Sequence, residues 1–304
     1  MKRAYTHLQS NNSKVYWCSL ACTPETMSKN SAKVGSYLHN QNQSKILIKE
    51  KEKKMFYGHY CGAWFIKVLE PKIPLWVLMI SVQFIDLLFC LFVLFDIEKV
   101  RITRDFGKYD MELISIPYTH SLIAAIGWSI LYGLWYKISG YDGGNRAAFL
   151  VGLAVLSHWF EDLLAHNEDL QLTIYDTQRK YGLGLWNISI IHYPLEILLF
   201  FGSYYYYIKN TEVHPSKLRI TRNTDTFQSS QDDQASKSAK IFFLYSLCTY
   251  IASELIPSPE NCKLLVIIML LLYVIMVFLA NRLDKVRVTR HNSRISDRLK
   301  LLNE

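Results

Sequence analysis

The stretch from 152 to 172, GLAVLSHWFEDLLAHNEDLQL, constrains this chain more than any other. It begins inside an apolar run, 147 to 166, that is long enough as a helix to enter a bilayer. Yet it carries His158, Glu161 and Asp162 before that run has ended, and His166 and Asp169 follow at once. On a helix advancing about 100° per residue, His158, Asp162, His166 and Asp169 share one narrow stripe. An ionisable side chain at mid-bilayer costs roughly 2.5–3.5 kcal/mol on insertion scales, so such a stripe needs partners from other segments.

The rest of the chain supplies a setting for it. Half of the 304 residues are hydrophobic, and they are gathered in blocks instead of being spread at a globular period. The pattern predicts an all-α, polytopic transmembrane helical bundle with six clear spans, at 73–95, 117–136, 147–166, 185–207, 241–256 and 264–280. A short apolar segment, 55–69, is followed by the turn-like EPKIP and is a seventh candidate, crossing the membrane or lying in its interface. The formal charge of +8 comes from Lys and Arg that mostly flank apolar blocks, which points to the lipid bilayer as partner and not to nucleic acid. The six cysteines form no paired C-x-x-C set, and most read as packing residues. MKRAYTHLQS is not followed by an apolar core, so no cleavable signal peptide is expected.

Outside the transmembrane core at 55–208, residues 1–54 read as a polar, poorly ordered extension with N-x-S sequons at Asn11 and Asn42. Residues 209–240 read as a polar loop, 241–281 as two further transmembrane helices and 282–304 as a basic cytoplasmic tail. The positive-inside rule then makes the loops at 96–116 and 167–184 exoplasmic. A small basic repeat, KVRITR at 99, KLRITR at 217 and KVRVTR at 285, reads as β-prone flanks of membrane segments.

Depth brings the polar residues together. Asp86 lies nine residues before its span ends, His120 three after Pro117 opens the next, and His158 and Asp162 eight and four before theirs ends. Because successive spans alternate direction, all of them fall in one leaflet, and His59 joins them if 55–69 crosses through the EPKIP turn. Imidazole and carboxylate are good Zn²⁺ ligands, and His158 and Asp162 at i and i+4 present both on one helix face. His120, His158 and Asp162, helped by Asp86 or His59, are therefore candidate ligands for Zn²⁺ or another divalent metal. A spare carboxylate, Glu161 or Asp86, is the candidate general base. His166 and Asp169 read as a wet rim, His192 as locally satisfied, and Glu196 as a supporting or proton-path residue. The backbone N–H groups that open PYTHSL are expected to favour a phosphate.

The ordered set GHY at 58, VQFIDLLF at 82, PYTHSL at 117, VLSHWFEDLLAH at 155, NEDLQL at 167 and GLGLWN at 182 resembles uncharacterised multi-pass membrane proteins related to the membrane-bound metal-dependent hydrolase (YdjM-like) family. The resemblance covers about residues 55–210. It implies His59, Asp86, His120, His158 and Asp162 as metal-site positions. Cys61 stands where the family's H-aromatic-Gly motif has glycine, and the family's H-R-P-D-L-P-L stretch here reads HNEDLQL, without either proline.

Three readings follow. The first is a metal-dependent hydrolase acting on a lipid-linked phosphate or related ester at the membrane interface. The second is a transporter or channel-like protein using the same His/Asp/Glu residues as an ion or proton path, and the third a non-catalytic membrane scaffold. Continuity of polar residues beyond the cluster separates the second from the first.

Overall fold

The computed structural model describes residues 9–10, 13–14, 57–105, 108–175, 179–213, 224–256 and 259–290. The chain divides into two units, Met1–Glu50 and Lys51–Glu304. In the first, the described residues are two short antiparallel strands, β1 (Gln9–Ser10) and β2 (Ser13–Lys14). The rest of the expected extension, with Asn11 and Asn42, lies outside the described residues, as do 291–304 of the tail.

The second unit is mostly helical. Its elements are α1 (Tyr60–Leu69), α2 (Leu75–Val82), α3 (Phe84–Leu94), a hairpin of β3 (Lys99–Asp105) and β4 (Lys108–Ser115), α4 (Pro117–His120), α5 (Leu122–Ile138) and α6 (Gly144–Ala165). There follow α7 (Ser189–Ile197), α8 (Ser203–Asn210), β5 (Thr211–Val213), α9 (Thr224–Leu255), α10 (Cys262–Asp284) and β6 (Arg287–Thr289).

By length and composition, α6 and α10 are each able to cross a membrane, and α2 with α3 makes a third if that pair, bent by 58°, is one span. Six continuous spans were expected, and the difference has local causes. The 185–207 block is cut into α7, which has Pro194 inside it, a π-helical turn at Leu198–Gly202, and α8. Proline lacks the N–H and its ring crowds the preceding turn, so a regular ladder cannot run through. The 117–136 block is divided where Ser121 turns extended, its Oγ accepting from the Ala124 N–H to open α5.

The 209–240 loop expected from its polarity instead contains β5 and the first half of the 32-residue α9. No proline or glycine interrupts 224–255, and once a helix is nucleated propagation is cheap, so the apolar half carries the polar half with it. The two hairpin-like pairings are the other departure from an all-α chain. β3 and β4 alternate apolar and polar residues over much of their length, a period of two that suits a pleated ribbon. β5 pairs with β6, and Arg287 pins them by donating to Thr211 Oγ1 at 2.7 Å and to the Ile208 and Thr211 carbonyls. Two copies of the basic repeat thus contribute strands, while the third, at 217–222, lies outside the described residues.

The main core joins α1, α2, α6, α8 and α9. Trp64 is fully buried, with the rings of Tyr204, Tyr207 and Phe242 about it. A second cluster, including Phe89, Val93, Ile116, Val266 and Tyr273, fastens α10 across α3 and the hairpin. Between these two clusters α6 delivers its polar stripe.

Candidate metal centre

α6 places His158, Glu161 and Asp162 on adjoining positions and ends at Ala165, where the His166 N–H still bonds the Asp162 carbonyl at 2.7 Å. His166 then turns extended, and the following segment folds back over it. Gly184 N–H donates to the His166 carbonyl, and Leu170 pairs with Tyr181. The GLGLWN motif explains this turn. The backbone of Asn167 occupies the place that a Cβ on Gly182 would take, and Gly184 sits at φ +66°, a region that favours glycine.

Two helix breaks furnish the other walls. The bend between α2 and α3 leaves the Val82 carbonyl as the acceptor of His158 Nδ1–H at 2.7 Å and puts Asp86 in the first turn of α3. The break after α4 leaves the His120 carbonyl to accept from Trp159 Nε1 at 2.9 Å. His59 arrives just before α1, as expected if 55–69 runs back toward the same end as Asp86.

The imidazoles converge through one nitrogen each. Asp162 Oδ1 lies 3.3 Å from His59 Nε2 and 3.5 Å from His166 Nε2. Its Oδ2 lies 3.3 Å from His158 Nε2 and 3.6 Å from His120 Nε2. Asp86 Oδ1 faces the same two rings, at 3.5 Å from His158 Nε2 and 3.4 Å from His120 Nε2. His59, His120, His158, Asp162 and His166 are all buried. No hydrogen bond of good geometry reaches His158 Nε2 or Asp162 Oδ2, although both are fully enclosed. Buried polar atoms left in that state are rare and call for a ligand.

Each ring's other nitrogen faces outward to an acceptor. His59 Nδ1 meets Glu161 Oε2 at 3.0 Å, His166 Nδ1 meets Asp169 Oδ1 at 3.0 Å, and His158 Nδ1 meets the Val82 carbonyl. Thr119 Oγ1 gives its proton to Glu98 Oε2 at 2.6 Å, so toward His120 Nδ1, 2.8 Å away, it can only accept. Every Nδ1 therefore carries a proton, which makes Nε2 the nitrogen that each ring can offer to a metal. The ligand atoms of His59, His158 and Asp162, and those of Asp86, His120 and His158, each form a group close enough to hold a metal ion.

The expected site residues have further contacts. Glu161, read as a base, lies against His59 Nδ1, and Asp86, read as a base or a metal ligand, faces the histidine nitrogens while Tyr273 OH donates to its other oxygen at 2.7 Å. His166, read as rim, is buried in the cluster, and Asp169 holds it there. Glu196 is buried and accepts from the Tyr57 N–H at 3.1 Å, with His192 Nε2 at 3.5 Å. The N–H groups of Tyr118 and Thr119, expected to favour a phosphate, are taken by Glu98 Oε1 at 2.9 Å each. Burial raises the Glu98 carboxyl above its usual range, against the lowering effect of His120 and of these hydrogen bonds.

Glu98 and Tyr273 were not singled out from sequence. Glu98 opens a charged stretch, EKVR, that reads as solvated, and Tyr273 is a lone polar tip in an apolar block. Comparison with protein-family models, curated proteins and solved structures gives no match to this chain.

Proposed function

We propose that the chain is a multi-pass membrane protein and a metal-dependent hydrolase of a lipid-linked phosphate or related ester. The convergence of four Nε2 atoms on Asp162 and Asp86, with every Nδ1 held outward, carries this reading. Zn²⁺ or another divalent cation bound there would polarise an ester or phosphoryl oxygen and bring a water toward a pKa of ~7. Around it, Glu161, Asp169, Thr119 and the Val82 carbonyl fix the rings, and Tyr273 fixes Asp86.

Membrane embedding is supported by exposed apolar faces. Ile123, Ile126, Ile130 and Leu134 recur at helical spacing along α5, and Leu264, Ile267, Leu271, Val274 and Phe278 do so along α10. A lipid substrate is favoured by an apolar groove of about 430 Å³, lined by Phe92, Ile97, Tyr118, Trp128, Leu131 and Ile174 among others, which shares Tyr118 with the turn that carries His120.

The test is elemental analysis of the detergent-purified full chain and of His158→Ala, followed by phosphate release from a lipid phosphomonoester in mixed micelles. Bound metal that falls in the variant, with turnover that falls alongside, is expected. A metal-free protein, or equal metal in both, refutes the reading. A second reading, a proton or cation path, draws on Glu196, which extends the polar groups beyond the cluster through Tyr57. It predicts proton or cation flux in proteoliposomes that Glu196→Gln lowers.

A further inference from the structure

Resting on the metal-site reading above, we infer that the site holds two divalent ions, bridged by Asp162. One is bound by His59, His166 and Asp162 Oδ1; the other by His120, His158, Asp86 and Asp162 Oδ2.

The division begins with Asp162. Its two oxygens face different pairs of rings, Oδ1 toward His59 and His166 and Oδ2 toward His120 and His158. A carboxylate that serves one ion has no need to spread its oxygens over four imidazoles.

Ring geometry makes the same point. The His59 and His158 rings are stacked, with centroids 4.0 Å apart and planes within 15° of parallel. Both direct Nε2 at Asp162, but at different oxygens, 3.3 Å away in each case. A nitrogen lone pair lies in its ring plane. A single ion midway between the planes would sit about 2 Å off each, as much as an entire Zn–N bond of ~2.0–2.1 Å. Two ions, one in each plane, need no such distortion, and their separation would match the ~3.5–4 Å of two-metal sites.

Charge agrees. The carboxylates in direct contact with the imidazoles are Asp86, Glu161, Asp162 and Asp169. With the imidazoles neutral, their four negative charges balance two dications and leave a single dication short by two. Buried charge left uncompensated is costly, so with neutral imidazoles two filled positions suit the cluster better than one. The outward partners follow the same division. The pair His59 and His166, whose Nε2 atoms face Asp162, is backed at Nδ1 by Glu161 and Asp169. The pair His120 and His158, which also has Asp86, is backed by a hydroxyl and a backbone carbonyl.

The experiment is metal counting on the full-length protein in detergent, stripped with chelator, dialysed and titrated with Zn²⁺. A parallel sample loaded with Mn²⁺ is read by electron paramagnetic resonance. Two Zn²⁺ per chain and an exchange-coupled Mn²⁺ pair are expected, with His166→Ala and His120→Ala each reduced to one ion and an uncoupled signal. One ion per wild-type chain with an isolated Mn²⁺ signal overturns the two-ion site and leaves the metal-dependent reading standing. No ion overturns both. The wild-type count decides even if a variant fails to fold.

Discussion

His158 donates its Nδ1–H to the backbone carbonyl of Val82 at 2.7 Å, across 76 positions of sequence. A carbonyl can only accept, so this contact keeps a proton on Nδ1 and makes Nε2 the nitrogen open to a metal. It exists because the helix breaks at Gln83, which bends α2 against α3 by 58°. The irregular backbone is thus part of the site.

Glu161→Gln separates an orienting role from a base. A glutamine can keep a hydrogen bond to His59 Nδ1 but supplies no negative charge. Loss of an outer-shell partner lowers metal affinity by about 10–100-fold, and a drop of that size is expected in competition titrations with a Zn²⁺ chelator. Unchanged affinity with abolished hydrolysis would instead return Glu161 to the base role.

Thr119 links His120 to Glu98 through one hydroxyl. Thr119→Val removes the acceptor for His120 Nδ1–H and a donor to a buried carboxylate. Metal affinity should fall by about 10-fold or more, while Thr119→Ser, which keeps the hydroxyl, should restore it. If both variants bind like the wild type, the Glu98 relay has no part in positioning His120.

Most of the cluster was legible in the sequence because ionisable residues stand out against apolar blocks. His158 and Asp162 follow from the helical period alone, and Asp86 and His120 from depth within alternating spans. His166 was misplaced because depth counting assumes a straight helix. The chain turns at Ala165 and returns the ring to the stripe it had left, through a backbone crossing at Gly182 that has no local signature beyond two glycines. Glu98, Tyr273 and the Val82 carbonyl were invisible for a related reason: their roles arise from contacts between distant segments. The broken spans were half legible, with Pro194 in plain view and the bend at Gln83 unmarked.

Gly182→Ala tests that crossing. The added methyl would meet the Asn167 backbone, which cannot swing aside as a side chain would. Overpacking of this kind costs about 1–3 kcal/mol. Thermal unfolding in detergent should shift down, and Zn²⁺ retention should fall with it, since Asn167 directly follows His166. A wild-type melting curve would mean that the 166–184 return is looser than described.

Asp284→Ala tests the fastening of α10. Lys67 Nζ lies 2.8 Å from Asp284 Oδ1 and also donates to the Pro71 and Ile73 carbonyls, while Asp284 Oδ2 accepts the Leu75 N–H at 2.9 Å. Removing one partner of a buried pair costs about 3–5 kcal/mol, and the low end is expected here because two carbonyls stay with the ammonium. The same loss frees the N–H that opens α2. Replacing both partners, Lys67→Met with Asp284→Leu, should recover much of the stability, because no buried charge is then left unpaired. Tyr273, which steadies Asp86, lies on the same helix, so the single variant should also weaken Zn²⁺ binding and the double variant should regain it. Unfolding in detergent and Zn²⁺ competition on the same three proteins give both readings, and metal binding that ignores the stability of α10 would remove Tyr273 from the account of the site.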